Sequence, residues 1–352
     1  MDNKRVLVGL SGGVDSSVCA LLLQRMDYTV LGATLDLCDG AASGSIEDAA
    51  AVADKLGIPF SAFDFRADFE RCVMERFAED YRAGRTPNPC IVCNPNVKFA
   101  KMLECADALG CTHIATGHYA RVEYDEKRGR WLLKKGRNLS KDQSYVLYRL
   151  DQRQLSRTLM PLGDMESKDA IRAIAEDAGL VTARKKDSQD ICFIPDGDYT
   201  AFLQRRGVEL TPGSFVDEAG RVLGQHRGLP CYTTGQRKGL GVGGSAYPLY
   251  VLRKNAEDNT VVLGPEEHLY SSRLVIADTN WIAFEALTEP LRCTAKTRYS
   301  QTEAAAVISP LPDGRAEVVF DTPQRAATAG QSAVFYDGEI VLGGGVICEG
   351  TA

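Results

Sequence analysis

The sequence has no hydrophobic run long enough to cross a membrane. Its longest apolar runs are Val6 to Leu10 and Val18 to Leu23, whereas a membrane-spanning helix needs roughly 20 apolar residues. The N-terminal residues lead straight into the first of these runs, without the small-residue cleavage site of a secretory signal. We therefore expect a protein with no membrane role that works in the cytoplasm.

The composition also lacks the biases of fibrous, disordered or disulfide-stapled chains. Hydrophobic residues make up 44% and charged residues 25% of the 352 residues, as in ordinary globular domains. No internal repeat or low-complexity tract is visible. At roughly 150 residues per domain, the length favours two or three domains.

Positive charge is not in excess, whereas cysteine is abundant. The 41 Lys and Arg residues face 47 Asp and Glu residues, a net charge of -6, which disfavours a protein that binds nucleic acid over its whole surface. A local basic face is still compatible with this balance. The eleven cysteines are odd in number and irregularly spaced, which indicates a reducing compartment rather than a disulfide framework.

Strand and helix patterns alternate over the first half of the chain. Apolar runs predict strands at residues 5–10, 28–35, 59–63 and 112–116. Helical patterns follow the first turn and recur at residues 46–56, 69–81 and 97–109. This alternation predicts an α/β fold with a doubly wound parallel sheet, whose ligands bind beyond the carboxyl ends of the strands.

The texture of the sequence changes after about residue 205, where segments become short, glycine-rich and proline-containing. From about Ser271 onward, short alternating runs recur with turn residues between them, which predicts an antiparallel β-barrel. We therefore expect a catalytic domain over 1–204, a small central domain over 205–270 and a barrel domain over 271–352.

The segment from Ser11 to Ser17 reads Ser-Gly-Gly-Val-Asp-Ser-Ser and lies between the first predicted strand and its helix. Backbone N–H groups at a helix start favour an anion, and Asp15 could hold a magnesium ion. The alternative is a purely structural role, in which the segment is a Gly-Gly turn with a Ser or Asp helix cap. The complete run resembles the pyrophosphate loop of ATP pyrophosphatases, which implies cleavage of ATP to AMP and pyrophosphate.

Two cysteine segments are candidates for the nucleophile that this chemistry needs. Cys90 and Cys93 form a Cys-x-x-Cys pair in a proline-broken stretch, predicted to be an exposed loop between two helices. A zinc site would need a second close pair, which the chain lacks. Cys192 follows Lys185 and Lys186, whose charge we expect to lower the thiol pKa; the alternative is a buried, unreactive cysteine.

Several motifs in order give the chain an almost end-to-end resemblance to the tRNA-specific 2-thiouridylases. Besides the phosphate loop, they are Asn88-Pro89-Cys90-Ile91-Val92-Cys93-Asn94, Thr116-Gly117-His118-Tyr119-Ala120, Lys141-Asp142-Gln143-Ser144-Tyr145 and Asp187-Ser188-Gln189-Asp190-Ile191-Cys192-Phe193-Ile194. Gly235-Gln236-Arg237-Lys238-Gly239-Leu240 and Thr297-Arg298-Tyr299 resemble the central and C-terminal segments of that family.

The resemblance implies 2-thiolation of the wobble uridine in tRNA, with tRNAs for Lys, Glu and Gln as acceptors. ATP with Mg²⁺ would adenylate the C2 oxygen, and sulfur would then displace AMP. By similarity, Cys192 carries a persulfide received from a cysteine desulfurase or a sulfur-relay protein. Cys93 then releases that sulfur and leaves a Cys93–Cys192 disulfide. A persulfide is more acidic than a thiol, so it is ionised near neutral pH.

The resemblance also implies binding residues. The implied ATP contacts are Gly9, Leu10, Ser11, Gly12, Gly13, Val14, Asp15, Ser16, Leu35 and Gly117. The implied tRNA contacts are Asn88, Pro89 and Cys90 at the target base, with Lys141, Asp142, Gln143, Ser144, Arg298 and Tyr299 elsewhere. Reading an anticodon base in this way requires a nucleotide splayed out into a pocket.

Cys90 departs from the family pattern, which places an acid/base Asp at this position. Either Cys90 takes that role, or Cys90, Cys93 and Cys192 hold an iron–sulfur cluster whose open iron binds hydrosulfide. Two further functions stay open. One is an ATP pyrophosphatase with a nitrogen nucleophile, and the other is a non-catalytic tRNA-binding protein with the same fold.

Overall fold

The structure is a computed structural model that describes residues 4–38, 43–183, 185, 191–244 and 247–351. Of the predicted motifs, residues 187–190 of the Cys192 segment and Lys186 before it lie outside the described residues. Over the described ranges, no helix combines the length and the apolar character that a membrane crossing requires.

A parallel sheet forms the first layer of the fold. The strands of this part of the chain are β1 (Arg5–Gly9), β2 (Thr29–Asp36), β3 (Phe60–Asp64), β4 (His113–Ala115), β5 (Ala120–Asp125), β6 (Arg130–Lys135) and β7 (Thr158–Leu159). The sheet has the order β3-β2-β1-β4-β7, with parallel pairing throughout. Because the strand order reverses beside β1, the loops after β1 and β4 diverge and leave a crevice between them.

Helices cover both faces of this sheet. They are α1 (Val14–Arg25), α2 (Ser43–Leu56), α3 (Arg66–Phe69), α4 (Glu75–Arg82), α5 (Pro89–Cys93), α6 (Ala100–Ala108), α7 (Ser144–Leu147), α8 (Gln152–Ser156), α9 (Lys168–Asp177) and α10 (Tyr199–Arg205). π-Helical turns at Glu70–Met74 and Asn94–Phe99 join α3 to α4 and α5 to α6. Leu7 packs into one core cluster, while Val6 and Val8 pack into another, as expected for a strand buried on both faces.

The remaining strands form a small sheet and a closed barrel. β8 (Gly213–Val216), β9 (Val222–His226), β10 (Tyr250–Asn255) and β11 (Thr260–Gly264) have the order β10-β11-β8-β9. The barrel contains β12 (Tyr270–Trp281), β13 (Leu291–Lys296), β14 (Ala304–Pro310), β15 (Ala316–Arg325), β16 (Ser332–Asp337) and β17 (Ile340–Thr351). Its order is β12-β15-β14-β13-β16-β17, and β17 pairs back with β12.

The predicted fold class is therefore confirmed, with one feature that the sequence did not indicate. The hairpin β5–β6 leaves the first domain and joins the barrel sheet, where Lys134 pairs with Ile340 of β17. Local patterns show that a hairpin forms but carry no information on which sheet edge it pairs with. The division at residues 204/205 and 270/271 stays a prediction.

Candidate active site

The phosphate loop leads from β1 into α1 without a side-chain cap. Gly13 is the N-cap residue in an extended conformation, and no side-chain cap bond is formed among the described residues. The helix-cap alternative is therefore wrong for this loop. Gly12 has a φ of 66°, a left-handed conformation that favours glycine. The first turn of a twelve-residue helix thus keeps its N–H groups available for an anion.

Serine hydroxyls hold this loop in shape. Ser16 Oγ accepts a hydrogen bond from the Ser11 N–H at 3.1 Å and donates to the Gly13 carbonyl at 3.1 Å. Ser17 Oγ donates to the same carbonyl at 2.8 Å. Ser16 and Ser17 are buried. The loop is consequently shaped by its own contacts before any ligand binds.

Gly117, in the loop after β4, packs directly on the start of α1. A Cβ atom built at this position would lie 2.9 Å from the Ser16 nitrogen and 3.0 Å from the Asp15 carbonyl carbon. Only glycine permits such a close approach of two backbones. The two loops that flank the crevice are therefore in contact, and both belong to the predicted ATP site.

The other predicted ATP contacts lie in or next to the packed core around the phosphate loop. Leu10 and Val14 are buried in the core, so they can offer a ligand only their backbone groups. Leu35 is half-buried near the end of β2. A Cβ atom at Gly9 would lie 3.0 Å from the Met102 sulfur, so α6 packs on the end of β1.

Two lysines that the sequence analysis did not assign reach the phosphate loop. Lys168 Nζ lies 2.7 Å from each carboxylate oxygen of Asp15, and Tyr119 donates its hydroxyl to the same carboxylate at 2.7 Å. Lys185 Nζ donates to the Gly12 carbonyl at 3.0 Å. Their sequence separations of 153 and 173 residues explain why no local motif could identify them.

The Cys-x-x-Cys pair lies in a helix, so the predicted loop is wrong. Asn88 is the N-cap residue, and its Oδ1 accepts a hydrogen bond from the Cys90 N–H at 3.1 Å. Pro89 occupies the first helical position, where its missing N–H costs nothing. The same Asn-Pro dipeptide that suggested a broken chain is here the start signal of α5.

Cys93 is buried, contrary to the expectation of an exposed pair, whereas Cys90 is exposed. The Cys93 side chain packs in a cluster with Phe193 and Ile194, the residues that follow Cys192. Burial raises the pKa of the Cys93 thiol to about 12, with Lys98 opposing this shift and the thiols of Cys192 and Cys90 adding to it. These three thiols are therefore close enough to influence one another.

Cys192 is exposed as a residue, yet burial around its sulfur raises the thiol pKa, with Lys98 opposing that shift. The prediction that positive charge lowers this pKa is wrong, because the loss of hydration outweighs the charge. Within the described ranges, no group of three or more His, Cys, Asp or Glu side chains is arranged to hold a metal ion. In this conformation, the thiols of Cys90, Cys93 and Cys192 are therefore not arranged to hold an iron–sulfur cluster.

The helix that carries Cys93 also contacts the nucleotide crevice. Through its π-helical turn it continues into α6, and the Phe99 ring lies 5.7 Å from the His118 ring, beside Gly117. Further along, Met102 contacts Gly9. One helical segment therefore carries Cys93 near its start and contacts the ends of β1 and β4 further along.

Most of the predicted tRNA-contacting residues of the segment 141–144 point inward. The Asp142 carboxylate accepts hydrogen bonds from the backbone N–H groups of Gly136 and Ser144 and from the Ser144 hydroxyl. Gln143 Oε1 accepts a hydrogen bond from the Tyr119 N–H. Lys141 is exposed. Asp142, Gln143 and Ser144 thus hold loops together, and a contact of this segment with tRNA stays a prediction.

Tyr299 is partly exposed, whereas the Arg298 guanidinium is held by hydrogen bonds within the protein. The Tyr299 ring is 42% exposed and 6.0 Å from the Tyr145 ring. Partial burial raises the pKa of Tyr299, with the charges of Asp142 and Cys90 adding to that shift. Arg298 donates through Nη2 to the carbonyls of Thr234 and Ala326 and to the Thr328 hydroxyl. Pro89 is buried and Asn88 is half-buried below Cys90.

The parallel sheet and the uncapped phosphate loop define an α/β domain of the nucleotide-binding kind, which also carries the thiols of α5. Family models match as a tRNA methyl transferase HUP domain over residues 4–196, a tRNA methyl transferase PRC-barrel domain over 200–265 and an aminomethyltransferase beta-barrel domain over 271–347.

Full-length relatives identify the family. The protein named tRNA-specific 2-thiouridylase MnmA in Acetivibrio thermocellus is 50% identical, over 99% of this chain and 100% of the relative. The protein of the same name in Heliobacterium modesticaldum is also 50% identical, over 97% of this chain and 92% of the relative. The Clostridioides difficile protein of that name is 46% identical over 98% of both chains. The chain belongs to the tRNA-specific 2-thiouridylase family.

Proposed function

We propose that the chain is an ATP-dependent tRNA-uridine 2-sulfurtransferase. The observation that supports this proposal is the single helical segment that carries Cys93, packed against the residues after Cys192, and that contacts Gly9 of the phosphate-loop strand through Met102. An enzyme that only activates an oxygen needs the loop but not the thiols. As acceptors we propose tRNAs for Lys, Glu and Gln, and as sulfur donor a cysteine desulfurase or a relay protein, in the cytoplasm.

In the first step, the C2 oxygen of the uridine attacks the α-phosphorus of ATP, and the bond to pyrophosphate breaks. The first-turn N–H groups of α1 face the leaving pyrophosphate. The Asp15 carboxylate is the oxygen ligand that Mg²⁺ prefers beside phosphates, so Asp15 would hold this ion, which neutralises phosphate charge when bound. Lys168, at 2.7 Å from Asp15, orients that carboxylate.

In the second step, the terminal sulfur of a Cys192 persulfide attacks C2, and AMP departs with the oxygen. The Cys93 thiolate then attacks the Cys192 sulfur, and the bond between that sulfur and the transferred sulfur breaks. Its electron pair goes to the sulfur now on C2, and a Cys93–Cys192 disulfide forms. A thiol reductant restores both cysteines before the next turnover. Cys90, exposed at the same site, is the proposed proton donor and acceptor.

The proposal is tested by incubating wild-type protein with unmodified tRNA, ATP and a sulfur donor, followed by mass spectrometry of the nucleosides. We expect 2-thiouridine and AMP from the wild type and no 2-thiouridine from Cys192→Ser. Cys348→Ser, at a half-buried thiol of the barrel strand β17, is the matched control and keeps activity. AMP formation without 2-thiouridine in the wild type, unchanged in Cys192→Ser, would support a nitrogen nucleophile instead.

Iron and sulfide analysis after anaerobic purification separates the persulfide route from the cluster route. A colourless, iron-free protein with full thiolation activity supports the persulfide. Stoichiometric iron and sulfide that are lost in Cys90→Ser would assign the sulfur to a cluster held by Cys90, Cys93 and Cys192, in a conformation other than the one described.

A further inference from the structure

The glycine-rich segment, residues 235–244, is an exposed and basic part of the central domain. Arg237 and Lys238 are exposed, and no carboxylate among the described residues forms an ion pair with either of them. Many of the protein's other arginines are engaged in ion pairs, for example Arg221 with Asp217. Two adjacent unpaired cations on a chain of net charge -6 are a local exception to its overall charge.

The backbone of this segment is open to a ligand. Gly239, Gly241 and Gly244 have φ values of 77°, 67° and 84°, and a Cβ atom built at Gly241, Gly243 or Gly244 would meet no atom of the described residues within 4 Å. Backbone N–H groups that alternate between right- and left-handed conformations, or lie in turns, form concavities that bind anions. These glycines line a cavity of about 510 Å³ together with Arg237 and with Tyr247, whose ring is 53% exposed.

The base of the segment is tied to the thiol site. Gly235 donates its N–H to the Val251 carbonyl at 2.8 Å, and Gln236 accepts from the Val251 N–H at 3.0 Å. Arg298 donates to the Thr234 carbonyl at 2.9 Å, and the next residue, Tyr299, lies near Cys90. The base of the segment is therefore hydrogen-bonded to the residue that precedes Tyr299.

We propose that the glycine-rich segment binds the phosphate backbone of the tRNA, with Arg237 and Lys238 as the cations and the glycine N–H groups as hydrogen-bond donors. This inference rests on the proposed function and adds to it a binding surface in the central domain, outside the catalytic cleft. Such contacts fix the orientation of a nucleic acid without reading its sequence. Arg298 is, in this arrangement, the positioning residue that links the surface to the thiol site.

The inference is tested by equilibrium binding of an unmodified tRNA transcript, without ATP or sulfur, over a series of salt concentrations. For Arg237→Ala/Lys238→Ala we expect binding to weaken by about 10-fold or more at low salt, and the slope of log K against log salt to become less steep by roughly 1 to 2. In thiolation assays the KM for tRNA rises, while kcat at saturating tRNA stays at the wild-type value.

The matched control removes two cations from the amino-terminal edge of the parallel sheet in the first domain. Lys4 and Arg25 are exposed, before β1 and at the C-terminal end of α1, and Lys4→Ala/Arg25→Ala keeps wild-type affinity and salt slope. Gly243→Ala tests the backbone contacts, because its Cβ would meet no atom within 4 Å in the part of the chain that the structure describes. It weakens binding severalfold without changing thermal stability.

Two results would overturn this inference and leave the proposed function standing. One is wild-type affinity and slope in Arg237→Ala/Lys238→Ala while the wild type thiolates tRNA. The other is unchanged tRNA binding with slower sulfur delivery from a protein donor, which would assign the segment to that donor. A wild type that binds the transcript through these residues but forms no 2-thiouridine would overturn the proposed function and leave the inference standing.

Discussion

The two ends of the cleft are prepared to different degrees. At the nucleotide end, the loop hydroxyls are already hydrogen-bonded to the loop backbone and Asp15 is already held by Lys168 and Tyr119. At the sulfur end, burial raises the pKa of Cys93 and Cys192, so both are protonated thiols at neutral pH. ATP thus meets a preorganised site, whereas sulfur chemistry waits for ionisation, which a persulfide achieves more easily than a thiol.

Gly117→Ala is the change with the largest expected effect, and it breaks the nucleotide end alone. The new Cβ would lie 2.9 Å from the Ser16 nitrogen, so the phosphate loop must shift. Displacements of this size near reacting groups cost about 100-fold in rate, and we expect a loss of that order in pyrophosphate release with tRNA present. Alkylation rates of the cysteines should stay at their wild-type values.

Gly224→Ala is the matched control for that change. Its Cβ would make ordinary contacts, 3.5 Å from a Val242 methyl group, and it lies in the central sheet, outside the cleft. Wild-type pyrophosphate release by Gly117→Ala would contradict the close loop contact as a requirement for nucleotide chemistry. Equal losses in both variants would indicate a general effect of adding a methyl group.

The same contrast explains what the sequence could predict. The phosphate loop is a contiguous motif whose chemistry depends on backbone groups, so the strand-to-helix turn was predicted correctly, although α1 already begins at Val14, within the segment from Ser11 to Ser17. The partners Lys168 and Lys185 were missed because contacts over 150 residues leave no local signal. Asn88-Pro89 was interpreted as a break rather than a helix start, and the pKa of Cys192 depends on burial, which its charged neighbours do not indicate.

Lys98→Met tests how the Lys98 charge affects the pKa values of Cys93 and Cys192. The Lys98 charge lowers the pKa of both Cys93 and Cys192, against the larger effect of burial. Removing it raises both values further, so less thiolate is present at any pH below them. For a shift of about one unit, alkylation at pH 8 slows roughly tenfold. Alkylation rates measured from pH 7 to 10 should follow the same curve displaced to higher pH.

Lys98→Arg is the control, because it keeps the charge and should keep the wild-type profile. Equal changes of the alkylation rate in Lys98→Arg and Lys98→Met would indicate a purely structural role of Lys98 and would contradict the electrostatic interpretation. Pyrophosphate release should respond less to Lys98→Met than to Gly117→Ala, which separates the two ends of the cleft again.

Asn88→Ala has the smallest expected effect, and it tests whether the thiol helix is preorganised at all. The variant removes the hydrogen bond from the Cys90 N–H to Asn88 Oδ1, a cap that is worth about 1 kcal/mol of unfolding free energy. Urea unfolding measures this loss, and Asn88→Asp, which keeps the acceptor oxygen, should show little of it. Because Cys90 lies in the first turn of α5, fraying should speed its alkylation more than that of buried Cys93. Equal acceleration at both thiols would mean that the cap stabilises the whole helical segment from Pro89 to Ala108 rather than its first turn.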